Sequence, residues 1–437
     1  MNNLMEDIKK LLHKSKNKDY FLDNYLDIYN KRNCSKKNIK NLNILLLNTP
    51  CEGFGDIIFA RKIANYLREW YNCNVYIATT KPDQILQLGE KEKFVLRLKS
   101  HHKSVGFEMC RRFAMLSLEN LQRKKVKQTF DLYFVAPLGE QLEINYTDVK
   151  KLIPNSNKLN TYFFSEYNNS TWKKDKYDFL TGVGKNKLGL LLTKPPKTKK
   201  IIKGKYALVY IANQDIVEGL PKRCFFNFAE MVSKKHKKTK KFRIICPNWI
   251  IENILGNPSK LSVFKKYFSS VEIIDKDKNK SEYITNSINK RNNKLIIDGS
   301  LFPVSNEKML NFMKYSVRDI LVTGDQSITD VLSCGRKKNI FYQIAPWKED
   351  FAKQLAIHLP NKYLRTKKSA CGTLEAITYE SNYTDFKKKY DFRKNAKKKI
   401  NNIVCSILYK NKDKNIDTFL NEFTKTKRID FLKKKYN

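Results

Sequence analysis

Short apolar runs alternate with longer amphipathic stretches along most of the chain. The run "NLNILLLN" (41–48) has strand length, and "DIIFARKIANYLREWY" behind it places apolar residues at helical spacing. "NVYIATT" and "FDLYFVAPL" predict two more strands, with helical stretches between them. The segment "LTKPPKTKKIIKGK" (192–205) breaks the pattern with two prolines and a run of lysines, which predicts a linker. Beyond it the alternation restarts. Strands are expected at "YALVYIAN", "FRIICP", "SVEIID", "NKLIIDG", "DILVTGD" and "NIFYQIAP", and helices at "CFFNFAEMVSKK", "NEKMLNFMKYS" and "SITDVLSC". Strands alternating with helices build parallel sheets covered on both faces.

The expected fold class is therefore α/β: two doubly wound Rossmann-like domains joined by a hinge, with helical extensions at both ends. The boundaries read as a helical N-terminal extension over 1–40, a first Rossmann-like domain over 41–193 and a linker over 194–204. A second Rossmann-like domain follows over 205–380, then a basic helical extension over 381–437. Sheets of this kind bind ligands beyond the carboxyl ends of their strands, so the loops after "ILLLN" and "ILVT" are the candidates.

Composition sharpens this picture in three ways. A chain of 437 residues exceeds one ordinary core, and its 41% hydrophobic and 12% aromatic content is enough to build two. The net charge of +43 points to a nucleic-acid or anionic-membrane surface. An AT-rich coding sequence would equally spread lysine over every solvated face. Stretches such as "KKHKKTKK" carry no aromatic interleaving and no nucleic-acid-binding signature. The compositional explanation is preferred, with weak nonspecific polyanion binding as a by-product.

The nine cysteines include no CxxC pair, and the five histidines are too scattered for a zinc site. Reduced thiols and a cytoplasmic location are the resulting expectation. The first residues are polar and lack the apolar core of a signal peptide, and no apolar run reaches the roughly 20 residues of a membrane span.

Two loops could carry chemistry. In "LVTGDQSITDVLSCG", Gly324 lets the backbone turn out of the strand, and Ser327 suits an N-cap that would leave free amides at the strand-end crevice, an anion site. A well-capped helix without a ligand explains the same residues. In "NTPCEGFGDIIF", Gly53 and Gly55 flank Phe54 without the GxGxxG spacing of a dinucleotide loop. Asp56 can cap the helix; together with Glu52 it can also orient or accept a proton from an incoming nucleophile.

Three other stretches are weaker. "GVGKNKLG" (182–189) lacks the GK-Ser/Thr ending of a phosphate loop. "DKD" (275–277) is a turn more readily than a metal site. His101 and His102 have no identifiable nucleophile partner.

Taken in order, these islands resemble two-domain GT-B glycosyltransferases, and among them the arginine rhamnosyltransferases that modify bacterial elongation factor P. Those enzymes carry Asp-Asn-Phe-Gly-Asp before the first helix, where this chain has Glu52-Gly53-Phe54-Gly55-Asp56. They carry Phe-Phe-Pro-Gly ending in Gly-Gly-Leu-Leu before the linker, where this chain has "FLTGVGKNKLGLLL". Their second domain has an apolar-Pro segment, a helix, Arg-Gly-Glu-Asp-Ser and a Trp-x-Ile-Tyr-Pro strand end. This chain has "SLFPVSNEKMLNFMKYSVRDILVTGDQS" and then "FYQIAPWKEDF".

The resemblance implies two domains facing across a cleft and a metal-independent, inverting sugar transfer. It needs no cofactor beyond a nucleotide-sugar co-substrate, a UDP- or dTDP-sugar. The partners implied are that donor and a protein or glycan acceptor. Asp56, with Glu52 beside it, would orient or deprotonate the acceptor nucleophile, and Asp325 falls at the family's motif glutamate. Gly324, Gln326, Ser327 and Ile328 would meet the donor diphosphate. Phe302 and Pro303 would line the base, Tyr342 and Gln343 the ribose or phosphate, and Asp330 the ribose hydroxyls, as carboxylates of that helix do in other GT-B enzymes. Gly53, Phe54 and Gly55 count with the donor-binding set.

Thr323 stands where the motif has arginine, Gln326 where it has aspartate and Ala345 where it has tyrosine. Elongation factor P is not carried over as the acceptor. Two other readings remain open: a basic nucleic-acid-binding or scaffold protein that keeps the fold without catalysis, and a sugar-nucleotide epimerase of the same build.

Overall fold

The computed structural model describes residues 4–17, 20–21, 24–25, 28, 42–50, 54–100, 116–118, 130–138, 146–156, 159–168, 178–213, 220–284, 292–334, 337–345, 348–358, 374–378, 384–410, 414–426 and 429–436. The chain divides into two compact units. One comprises Met1–Gly182, Asn186–Leu191 and Asp391–Asn437, the other Val183–Lys185 and Leu192–Tyr390.

The first unit opens with helix α1 (Leu4–Lys14) and strand β1 (Asn43–Asn48). Ile44, Leu45, Leu46 and Leu47 are all fully buried. An unbroken aliphatic run of this kind suits a strand covered on both faces. Helix α2 (Gly55–Tyr71) buries Ile57, Phe59, Ala60, Ile63, Ala64 and Leu67, a stripe at helical spacing that fixes which side meets the sheet. It stops at Asn72, whose φ of 53° takes the left-handed turn that lets its N–H reach Arg68 O.

Then come β2 (Asn74–Thr79), α3 (Pro82–Gln87), β3 (Val95–Ser100), β4 (Leu116–Leu118), β5 (Leu132–Leu138), α4 (Tyr146–Leu152) and β6 (Thr161–Ser165). The sheet order is β4-β3-β2-β1-β5-β6, parallel except for β4 against β3. Leu45 lies in register with Tyr76 on one side and Tyr133 on the other. The winding therefore reverses direction between β1 and β5.

The second unit repeats the scheme. Its elements are β7 (Lys205–Tyr210), α5 (Leu220–His236), β8 (Lys241–Ile245), α6 (Asn248–Leu255), β9 (Ser270–Ile274), β10 (Lys280–Ile284) and β11 (Lys294–Asp298). They continue with α7 (Asn306–Tyr315), β12 (Asp319–Thr323), α8 (Asp325–Ser333), β13 (Asn339–Gln343), α9 (Glu349–His358), β14 (Leu374–Thr378) and α10 (Thr384–Lys389). The order is β10-β9-β11-β8-β7-β12-β13-β14, with only the edge strands β10 and β14 antiparallel. Here the winding reverses between β7 and β12. The core on one face joins Val209, Phe228, Ile244, Leu295 and Leu321. The α/β, doubly wound expectation holds for both units.

The segment expected as a linker is strapped to α7. Buried Asn311 donates from Nδ2 to Thr198 Oγ1 at 2.8 Å and to Lys199 O at 2.9 Å. Tyr315 Oη donates to Thr198 O at 3.0 Å.

The end of the chain returns to the first unit as α11 (Phe392–Asn395), α12 (Lys397–Lys410), α13 (Lys414–Lys425) and α14 (Ile429–Lys435). Phe392 N donates to Leu190 O at 3.1 Å. Ile8, Leu12 and Phe21 share one apolar cluster with Phe419, Phe423 and Leu432, in which the rings of Phe21 and Phe423 are 4.4 Å apart.

Cys73, Cys224, Cys246 and Cys334 are buried free thiols. Cys405 is disulfide-bonded. This corrects the expectation of reduced thiols throughout: pairing needs spatial approach, which CxxC spacing does not report. Among the described residues no helix is long and apolar enough to cross a membrane.

Candidate functional site

In open α/β sheets the crevice outside the strand ends, where winding reverses, is where ligands bind. In the second unit that places the site beyond the ends of β7 and β12. Gly324 makes the turn there, with φ 75°. A side chain is strained at that φ, so glycine suits the position. Helix α8 begins at once, with Gly324 as its N-cap and Asp325 as its first residue. This corrects the expectation of Ser327 as the cap. The glycine completes the turn by itself, so the cap lies three residues earlier, and Ser327, half-buried, lies inside the first turn.

The Asp325 carboxylate occupies the helix start. Its Oδ1 accepts from Gln326 N at 2.9 Å and its Oδ2 from Lys348 Nζ at 3.1 Å. Both side chains of the ion pair are well shielded, 13% and 11% exposed. Tyr342 on β13 is wholly buried, with no hydrogen-bond partner for its hydroxyl. Burial first, and the Asp325 charge second, push its phenol well above the ordinary value, while Lys348 pulls it back. Tyr342 is thus a neutral phenol that feels both the carboxylate and the ammonium.

A second group stands at the end of β7. The ring of Tyr210 lies 5.7 Å from that of Phe302, in the loop after β11. Burial, and then the charge of Asp330, raise the Tyr210 hydroxyl's pKa. Asp330 is 2% exposed and lies on α8. Pro303 is exposed beside Phe302, whereas Ile328 and Gln326 are buried. Gln343 is committed elsewhere: its Oε1 accepts from Ala212 N at 3.1 Å and its Nε2 donates to Ala212 O at 3.3 Å. Thr323 Oγ1 donates to Gln343 O at 2.9 Å. These bonds fasten the ends of β7, β12 and β13 together and hold the rim of the crevice in one shape.

In the first unit, Asp56 is the second residue of α2 and half-buried. It is not the helix cap. That position is Phe54, with no side-chain cap bond, because the helix already starts at Gly55. Asn48, fully buried at the end of β1, donates from Nδ2 to Ala136 O at 3.0 Å and to Asp56 O at 3.2 Å, and its Oδ1 accepts from Thr79 Oγ1 at 3.3 Å. One amide therefore joins the ends of β1, β2 and β5 to the first turn of α2 and fixes where Asp56 stands. Glu52 and Gly53 lie outside the described residues, as do His101 and His102.

No protein-family model matches this chain, and no curated protein matches it. Among solved structures it is similar to a glycosyltransferase from Rickettsia africae ESF-5, at 11% identity and a TM-score of 0.40, over 88% of this chain and 98% of that one. It is similar to S. aureus MnaA in a co-structure with UDP, at 10% identity and a TM-score of 0.40, over 80% and 95%. It is similar also to a glycosyl transferase family 9 protein from Veillonella parvula DSM 2008, at 9% identity and a TM-score of 0.35, over 69% and 80%. The fold described above rests on this chain's own strand order.

Asp275 closes the β9–β10 turn, its Oδ1 accepting from Asp277 N and Asn279 N, both at 2.9 Å, and its Oδ2 from Asn279 Nδ2 at 3.0 Å. That is the turn reading of "DKD". No group of three or more His, Cys, Asp or Glu able to hold a metal occurs among the described residues.

The sequence reading missed Lys348 and Asn48. Lys348 sits two residues past Pro346 in the quoted "APWKEDF", and a cation so close to a strand end was the available signal. Asn48, a polar residue ending an apolar strand, was the other.

Proposed function

We propose that this protein is a glycosyltransferase of GT-B type that moves a sugar from a nucleoside-diphosphate donor, UDP- or dTDP-linked, to an acceptor. The observation that carries the reading is the helix start at Gly324–Asp325, set at the winding reversal of the second sheet and surrounded by shielded ionisable groups. Backbone amides and the helix dipole there favour a diphosphate. The Tyr210–Phe302 pair suits the flat face of a base, and Asp330 the ribose hydroxyls.

In the reaction, a nucleophilic atom of the acceptor, a protein side chain or a glycan hydroxyl, bonds to the anomeric carbon. The carbon–oxygen bond to the diphosphate breaks, and its electron pair leaves on the nucleoside diphosphate. The acceptor's proton goes to the Asp56 carboxylate. Displacement from the opposite side inverts the anomeric centre. The amides at the start of α8 stabilise the charge growing on the leaving group, so the reading requires no metal.

A thermal-shift screen against UDP-, dTDP- and GDP-sugars tests the donor half. A ligand present at 100 times its dissociation constant adds about 2.7 kcal/mol of stability. Asp56→Ala tests the other half: transfer should be lost with donor binding nearly intact, and equal loss of both would make the residue structural.

A further inference from the structure

We propose that Lys348 grips the donor diphosphate, and that the Asp325 carboxylate is a placeholder that occupies the same position until a phosphate arrives. The inference rests on the donor reading above and adds the residue that supplies positive charge. Three observations carry it.

The Asp325 carboxylate lies where a helix start favours an anion, bound at once by a backbone N–H and by an ammonium. A phosphate offers the same two partners more oxygens and more charge. Within electrostatic reach of this pair, the fully buried Tyr342 hydroxyl has no acceptor, and a buried polar group without a partner is costly. An anion drawn in by Lys348 would give that hydroxyl an acceptor. Finally, Thr323 at the end of β12 brings no charge and has its hydroxyl committed to Gln343 O, whereas Lys348 sets an ammonium against the first residue of α8.

Binding then proceeds as an exchange. Lys348 leaves Asp325 for the diphosphate, and the displaced carboxylate turns away from the incoming charge. The two anions compete, so removing the charge of Asp325 should strengthen phosphate binding. A purely structural ion pair predicts no such gain.

The test is calorimetric titration of the full chain with UDP and with inorganic pyrophosphate, at low and high salt, with melting curves confirming each fold. Lys348→Gln should weaken both ligands by roughly tenfold or more and flatten the salt dependence. Lys348→Arg should restore most of the loss. Asp325→Asn should tighten pyrophosphate binding, and Tyr342→Phe should weaken it by a smaller factor. Lys353→Gln, removing an exposed charge from α9, should change nothing.

If the wild type binds UDP and neither Lys348→Gln nor Asp325→Asn alters that binding, the role of Lys348 is overturned and the donor reading stands. If pyrophosphate binds through Lys348 but UDP, dTDP and GDP do not, the anion site stands and the nucleotide reading falls. If the wild type binds none of these, both fall.

Discussion

The side-chain amide of Gln343 and the backbone of Ala212 bond to each other in both directions, N–H to Oε1 at 3.1 Å and Nε2–H to O at 3.3 Å. This reciprocal pair ties the end of β13 to the chain leaving β7, across the strand that feeds α8. A side chain placed by sequence near a ribose thus serves as a brace for the rim that would hold it.

Gln343→Ala should therefore act on the site through its shape. Losing both bonds costs about 1–3 kcal/mol, readable as a lower midpoint in urea denaturation. Affinity for UDP should fall with it. A variant with unchanged stability but lost UDP binding would place Gln343 on the ligand instead.

The strap over α7 makes a different prediction. Asn311→Leu leaves Thr198 Oγ1 and Lys199 O without their donor, at a cost of roughly 1–3 kcal/mol. Trypsin should then cut at Lys197, Lys199 or Lys200 sooner than in the wild type. Equal cutting rates would show that other contacts hold the segment.

His236 supplies a pH dependence. Its ring stacks on Phe242 with centroids 4.4 Å apart, and burial lowers its pKa. Asp319 opposes that shift, while Lys205 and Lys235 add to it. The unfolded chain takes up the proton near the ordinary value of about 6.5, the folded chain only at lower pH. Stability from this group is complete above that value, declines as pH falls below it, and is spent once the folded pKa is passed. His236→Gln should flatten the fall in melting temperature between about pH 7.5 and 5. An unchanged slope would assign it to other groups.

Peptide mapping without reductant should find Cys405 cross-linked and Cys73, Cys224, Cys246 and Cys334 as thiols. Burial pushes the Cys73 thiol up to about 11, so its alkylation should be slow until the protein unfolds. Rapid native labelling at Cys73 would contradict its packing.

What the sequence disclosed was local. Ile44 to Leu47 had to be a covered strand because every position is aliphatic, and Gly324 had to be a turn because it ends one. The cap of α8 was displaced by three residues because Ser327 is the better cap by composition, yet the glycine had already finished the turn. The bonds that shape the sites join distant residues. Lys348 is 23 positions from Asp325, and Asn48 is 88 from Ala136. No periodicity encodes such pairs. The cluster of Phe21 with Phe419 and Phe423 escaped for the same reason, since each end alone looks like a solvated lysine-rich helix.

That cluster bears on how the molecule is born. A ribosome releases Ile8 and Phe21 long before Phe423 and Leu432, so the first unit waits through the synthesis of all of β7 to α10 for its closing aromatic residues. Folding here cannot run simply from front to back. The middle of the polypeptide can mature while its beginning still needs shelter, and a stop codon inside α13 would strand the amino-terminal helix with its greasy side bare.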